Sequence, residues 1–376
     1  MKTGAVATLH WLRTGEEAFA AMLEAIAAAD KSIRLETYVY EAGLIGEKFR
    51  EALVKARRRG VRVQVLVDAM GSARLSTGFW DPLVKAQGEF AWFNPLSLQR
   101  WSYRDHRKML ICDEAVAIIG GFNIADAYNG DGVTRGWRDL GLLITGSLVD
   151  HLAISFDTFF GRATAAHKPL QRLRKAPTTV TSGQNWKLIL SGPGRRHGEL
   201  KRTLVGDLKG ASSVRIICAY FLPTWRLRKE LMQVSKRGGT VQLILAGKSD
   251  VALSRLASRR LYRAFLRSGV QIFEYQPQIL HAKMFVLDDT VYAGSANLDV
   301  RSLRINYELL VRILDPTVAG EARRIFEADL EHSKRIDLST WNKSRSFWTK
   351  LREDWAYFVL ARVDPYLAGR QLKTLR

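Results

Sequence analysis

The stretch RKMLICDEAVAIIGGFN at residues 107–123 returns as AKMFVLDDTVYAGSAN at residues 282–297. Each copy runs from an apolar segment through an acidic turn into a second apolar segment, and closes on small residues and an asparagine. That pattern reads as two short strands joined by a tight turn. A histidine stands two positions before the lysine of each copy, giving His106, Lys108 and Asp113, and again His281, Lys283 and Asp288. The chain has seven histidines, and two of them open the same His-x-Lys-x4-Asp signature. One copy would be a weak signal, whereas two copies inside a matching repeat are a strong one.

Working outward, the repeat widens. RGVRVQVLVD at 59–68 matches RGGTVQLILA at 237–246, and LETYVY around Tyr38 matches ICAYFLP around Tyr220. Repetition at this length means a duplicated domain rather than a solenoid. Such halves pack about a pseudo-twofold axis, so equivalent residues can meet at the shared seam. In the first half, helical patterns at 16–30, 47–59 and 148–162 alternate with strand patterns at 33–40, 61–68, 108–112, 115–119 and 140–144. In the second, strands at 214–221, 240–246, 271–275, 283–287 and 290–293 alternate with helices at 225–236 and 250–268. The order is α/β, which implies two mixed β-sheet halves flanked by helices. The expected division is 1–165 for the first half, a basic, proline-containing linker at 166–185, 186–330 for the second half, and a C-terminal segment at 331–376.

Composition limits the class. Of 376 residues, 47% are hydrophobic and 25% charged, which fits a folded protein and not a disordered one. Lys and Arg outnumber Asp and Glu by 58 to 37, a net charge of +21, which points to anionic partners such as nucleic acid or acidic lipid. Cys112 and Cys218 are too few for a disulfide framework and read as buried strand residues. No stretch offers 18 uncharged apolar residues, so no membrane span or signal peptide is expected.

The repeated residues carry a chemistry. On a strand, residues i and i+2 share a face, so each histidine should project with its lysine. The small residues before Asn123 and Asn297 allow close approach of a ligand, and the asparagine amides, with Ser295, are candidate donors to phosphate. Asp139 and Glu308, each ahead of an apolar strand, are the candidate orienters of the histidine rings. If the halves face each other, cations and donors converge on one phosphate group, the arrangement that phosphoryl transfer needs. One neutral imidazole can attack phosphorus while the other, protonated, serves the leaving alcohol and then the acceptor. His10, His151, His167, His197 and His332 have no matching partners and receive no role.

This constellation resembles the phospholipase D superfamily, whose paired HKD motifs have this form. Stretches such as DHRKMLICD, IGGFNIADAY, GWRDLGLLITG, AYFLP, LHAKMFVLDD and GSANLDVRSLRINYEL look most like bacterial cardiolipin synthases, of a short type without N-terminal transmembrane helices. The resemblance implies a duplicated phospholipase D fold with the active site at the seam, a phosphohistidine intermediate, and no metal or other cofactor. It also implies that Asp113 and Asp288 are structural members of the motif. The expected activity is phosphatidyl transfer to the hydroxyl of a second phospholipid such as phosphatidylglycerol, with phosphatidylethanolamine a further candidate substrate. Hydrolysis to phosphatidic acid is the alternative, and a nuclease or phosphodiesterase of the same superfamily a more distant one. A binding protein with a degenerate site is disfavoured because both motifs are intact.

Two surface features complete the reading. Lys248, Ser249 and Asp250 follow a strand where a loop could line the substrate mouth, and Arg255, Arg259, Arg260, Arg263 and Arg267 recur at helical spacing beyond it. At the C-terminus Phe347, Trp348, Leu351, Trp355, Phe358 and Val359 fall on one helical face. Aromatic residues beside basic ones suit a bilayer interface, so an anionic phospholipid surface is the expected partner and nucleic acid is not. The expected location is peripheral, on the cytoplasmic face of the bacterial cell membrane.

Overall fold

A computed structural model describes residues 7–95, 102–164, 181–193, 198–343 and 345–374. The first half builds β1 (Thr8–Leu12), β2 (Ser32–Thr37), β3 (Arg62–Asp68), β4 (Glu89–Phe93), β5 (Met109–Cys112), β6 (Val116–Gly120) and β7 (Gly141–Thr145). Their order in the sheet is β1-β7-β6-β5-β2-β3-β4, with β2, β3 and β4 parallel and the remaining pairs antiparallel. The second half builds β8 (Thr181–Ser182), β9 (Trp186–Ser191), β10 (Ser213–Cys218), β11 (Thr240–Ala246), β12 (Gln271–Tyr275), β13 (Lys283–Leu287), β14 (Thr290–Gly294), β15 (Glu308–Leu314) and β16 (Ser333–Ile336). Its order is β16-β12-β11-β10-β13-β14-β15-β9-β8. Without β8 and β16 the two sheets have the same order, so each half is one copy of a single mixed-sheet unit.

Local chemistry explains the elements. Every position of β3 after Arg62 is buried, and its β-branched run suits a strand covered on both faces. Thr14 caps the helix Gly15–Ala28 by accepting from the Glu17 backbone N–H at 3.1 Å. Gly60 ends the helix Leu44–Arg58 at φ +96°, a conformation open to glycine and strained for other residues. Asp113, at φ +55°, turns β5 into β6, and its carboxylate accepts from the backbone N–H of Asp30, Lys31 and Ser32. Asp288, at φ +48°, does the same for Ser212 and Ser213. Both motif aspartates therefore staple the start of the neighbouring strand.

The halves meet through a shared apolar cluster. It holds Met109, Ile111 and Ile119 of the first sheet, Met284, Val291 and Ala293 of the second, and residues of the helices Leu148–Thr164 and Pro316–Glu331. Phe156 and Phe326 lie there at 0% exposure, and truncating either to alanine should destabilise by about 3–5 kcal/mol. Isolated bridges Asp105–Tyr307 and Arg138–Leu280 then tie the backbone beside each histidine to the opposite half.

The structure departs from the sequence reading at several points. β1, β4, β9, β16 and the helices Glu199–Gly210 and Pro316–Glu331 were not expected from the pattern. The expected linker at 166–185 lies largely outside the described residues, while Thr181 and Ser182, at its end, pair with β9. The C-terminal segment begins within the second sheet, where β16 pairs with β12. The match of Tyr38 to Tyr220 slips by one residue: β2 places Ile33 opposite Cys112 as β10 places Val214 opposite Leu287, so Tyr38 corresponds to Ala219 and Val39 to Tyr220. Cys112 and Cys218 are both buried and free.

Candidate active site

His106 and His281 line one cavity of about 630 Å³, roughly headgroup-sized, together with Asn123, Asn297, Tyr38, Tyr128, Trp137, Tyr220, Arg104 and Arg301. Each histidine stands just before the strand that carries the rest of its motif, β5 or β13, and its backbone is fixed by the other half. The His106 N–H donates to the Tyr307 carbonyl at 3.0 Å, and the His281 N–H donates to the Arg138 carbonyl at 2.8 Å.

The orienting carboxylates are exchanged between halves. Glu308 Oε2 lies 3.1 Å from His106 Nδ1, and Asp139 Oδ2 lies 2.6 Å from His281 Nδ1. Both candidate orienters thus reach a histidine ring, each of them in the opposite half, as pseudo-twofold packing allows. Each carboxylate holds a proton on Nδ1, which leaves Nε2 as the free nitrogen of the ring.

Other residues take places the sequence did not indicate. The lysines do not line the cavity. Lys108 Nζ folds back to donate to the His106 carbonyl at 2.6 Å. Lys283 Nζ donates to the His281 carbonyl and lies 2.8 Å from His281 Nδ1. Their charges thus act from behind the imidazoles. Ser295 does not face a ligand, because its hydroxyl donates to Glu308 Oε2 at 2.5 Å. The equivalent position in the first half is Gly121, where a Cβ would sit 2.0 Å from Asp139 Oδ1. Asn123 accepts from the Val39 N–H and donates to the Tyr128 hydroxyl at 2.6 Å. Asn297 accepts from the Tyr220 N–H at 3.2 Å. Asn297 Nδ2 has no hydrogen-bond partner among the described residues, whereas Asn123 uses both its amide oxygen and its amide nitrogen.

Burial sets the protonation states. Desolvation lowers His106 to about 4; Glu308 opposes this and Lys108 adds to it. Desolvation and Lys283 lower His281, against Asp139. Desolvation also lowers Lys108, to about 7, and Lys283. Burial pushes Asp139 up, but Lys283 and His281 outweigh it and leave the carboxyl below its usual value. Glu308 is likewise pushed up by burial and brought below its usual value by His106, Lys108 and Ser295. The site therefore holds two neutral imidazoles, each backed by an ionised carboxylate.

The aromatic wall was missed by sequence reasoning. Tyr38 packs on His106 with ring centres 5.0 Å apart, while Tyr128, Trp137 and Tyr220 surround His281 at 5.3, 5.8 and 6.3 Å. These residues sit in the LETYVY, IADAY, GWRD and AYFLP stretches, and their clustering beside the motifs was the available signal. Among the described residues, no group of three or more His, Cys, Asp or Glu is placed to hold a metal ion.

Comparison with known proteins follows from this geometry. The family model described as "Cardiolipin synthase, PLD-like domain" matches residues 22–152 and 204–330, one segment in each half. Cardiolipin synthase 1 of Bacillus anthracis is 30% identical over 366 residues, covering 94% of this chain and 72% of the relative. Cardiolipin synthase B of Salmonella typhi is 31% identical over 371 residues, covering 96% and 89%. The crystal structure of phosphatidylserine synthase from Haemophilus influenzae Rd KW20 superposes with a TM-score of 0.76 at 14% identity, covering 96% of this chain and 94% of that one. At that identity the superposition speaks to the fold alone.

Proposed function

The chain belongs to the phospholipase D-like cardiolipin synthase family, and from that premise we propose that it moves a phosphatidyl group from one phospholipid to the hydroxyl of another by way of a phosphohistidine. The observation that carries this reading is the pair of histidine–carboxylate dyads, exchanged between halves and opening on one cavity.

His106 is the nucleophile. Its pKa of about 4 keeps the ring neutral, and Glu308 on Nδ1 aims the Nε2 lone pair away from the backbone. Nε2 attacks phosphorus, the P–N bond forms, and the bond to the leaving glycerol oxygen breaks. His281, protonated in the bound complex beside the anionic phosphate, gives its proton to that oxygen. Asp139 at 2.6 Å stabilises the imidazolium. The acceptor hydroxyl then returns a proton to His281 as it attacks phosphorus, and the P–N bond breaks. Lys108 and Lys283 stabilise the anionic transition state from behind the rings, and the Asn297 amide contributes from the cavity wall. Phosphatidylglycerol is the preferred donor and acceptor, since its headgroup supplies both a leaving glycerol and a free hydroxyl.

The C-terminal helix positions this site at the lipid. The helix Phe347–Phe358 packs on the helix Ala252–Arg267 through buried Glu353 and Ala356, with Arg260 ion-paired to Asp354. Its aromatic face is turned outward: Phe347, Trp348 and Trp355 are 71, 68 and 60% exposed. Leu360 and Asp364, one turn farther on, line the cavity. Residues 331–376 carry ten Lys or Arg against five Asp or Glu. An aromatic, basic face beside the mouth suits peripheral docking on an anionic leaflet, with the cytoplasmic face of the membrane as the site of action. Among the described residues no helix is long and apolar enough to cross a membrane.

The test is product analysis. The full chain, given phosphatidylglycerol vesicles in EDTA, should release cardiolipin and free glycerol, read by mass spectrometry. Phosphatidic acid as the sole product would make water the acceptor and the protein a phospholipase. No turnover of any phospholipid would refute the proposal.

A further inference from the structure

The two sides of the cavity mouth differ in charge. Near His106 the charges are paired: Arg104 with Asp68 and Arg301 with Asp364, beside Tyr38, the ring packed against that histidine. Around His281 stands a carboxylate. Asp250 lines the cavity, accepts from the Tyr220 hydroxyl at 2.6 Å, and has no ion-pair partner among the described residues. Tyr220 in turn stands edge-on to His281, ring centres 6.3 Å apart and planes at 84°. Its backbone N–H is held by Asn297, so the phenol is fixed in place.

A carboxylate at the mouth of a phosphate site repels the phosphate, and so calls for another partner. The duplication supplies a control. β3 and β11 align Val67 with Leu245, so counting onward sets Ser72 at the position of Asp250. Ser72 also borders the cavity, but its hydroxyl is spent on the backbone of its own half, accepting from the Tyr40 N–H and donating to the Tyr38 carbonyl. The acid is thus specific to the His281 side. A reaction joining an anionic phosphatidyl group to a neutral glycerol hydroxyl uses this asymmetry, since ion-paired arginines suit the first and an unpaired acceptor of O–H bonds suits the second.

We propose that the Asp250–Tyr220 pair is the binding subsite for the acceptor alcohol and takes vicinal hydroxyls of a glycerol headgroup. This rests on the transferase reading above. The non-reacting hydroxyl donates to Asp250 Oδ1, and the Tyr220 phenol, whose proton lies on Asp250 Oδ2, borders its neighbour, which keeps its proton for His281. Burial and Asp250 both raise the Tyr220 pKa, so the phenol keeps that proton. The reacting hydroxyl passes its proton to His281 as its oxygen bonds to phosphorus, and the electron pair of the P–N bond returns to His106. A single water cannot hold the pair with one oxygen while presenting a second to phosphorus and His281, so the subsite favours transfer over hydrolysis.

The experiment uses the full chain and phosphatidylglycerol in mixed micelles, with deuterated glycerol or 1-butanol as soluble competing acceptors. Asp250→Asn should raise the KM for glycerol about tenfold, with a smaller change for 1-butanol, and lower the cardiolipin to phosphatidic acid ratio by about the same factor. Tyr220→Phe, which removes only a hydroxyl, should shift both readouts in the same direction by about threefold. Equal losses toward glycerol and butanol, or an unchanged product ratio in both variants, would overturn the subsite while leaving the transferase reading intact. A wild-type enzyme that consumes phosphatidylglycerol but forms neither cardiolipin nor labelled phosphatidylglycerol would overturn both.

Discussion

His281 sits 2.6 Å from its carboxylate and is surrounded by Tyr128, Trp137 and Tyr220, whereas His106 sits 3.1 Å from its own and packs on Tyr38. The supports beneath them diverge further. The strand region before His106 carries Arg104 and Asp105, with Arg107 just after it ion-paired to Glu36 at 2.9 Å, all of them buried. The corresponding region around His281 is Ile279, Leu280 and Ala282, and β10 has Ile217 where β2 has Glu36. One half holds its histidine on ion pairs and the other on apolar packing. The reacting groups have stayed equivalent while their surroundings diverged, and under the proposed mechanism that divergence makes His106 the neutral attacker and His281 the proton carrier.

That division can be tested first through the carboxylates. Asp139→Asn should lower kcat by about a hundredfold, because the short contact to His281 stabilises the imidazolium as well as the tautomer. Glu308→Gln should lower it by about tenfold, since a neutral nucleophile needs only the tautomer. Steady-state kinetics on the two variants checks this, and equal losses would break the comparison.

A smaller effect should appear in the pH profile. Lys108 has its pKa lowered to about 7, so its charge is present below that pH and lost above it. The free-enzyme parameter kcat/KM should therefore fall as pH rises through about 7. Lys108→Arg, whose guanidinium stays charged, should carry that limb at least two units higher. A limb unmoved by the substitution would assign it to the His281 half instead.

The repeat made two mixed-sheet halves legible, and Trp225–Lys236, Thr240–Ala246, Gln271–Tyr275 and Lys283–Leu287 match their expected bounds, whereas the order of strands within each sheet came only from the structure. β1, at a sheet edge, and β9, between β15 and the short β8, were hidden because TLHWL and WKLILS stand apart from any repeat signal. Within the site, the motif histidines and both acids were legible as residue types in series. Their partners were not: the exchange of Asp139 and Glu308 is a property of packing between halves, which spacing along the chain does not encode. The retreat of the lysines and of Ser295 has the same origin, since each follows from which neighbour its polar atom reaches in three dimensions.

The most direct measurement follows the first half-reaction with a phosphatidyl ester of p-nitrophenol, a leaving group that departs without a proton. His281→Ala should release about one equivalent of p-nitrophenol per chain in a burst and then stall, with the phosphatidyl group held on His106. His106→Ala should release none. A burst from His106→Ala alone would contradict His106 as the nucleophile, and bursts from both variants would contradict a single site in which the two halves divide the work.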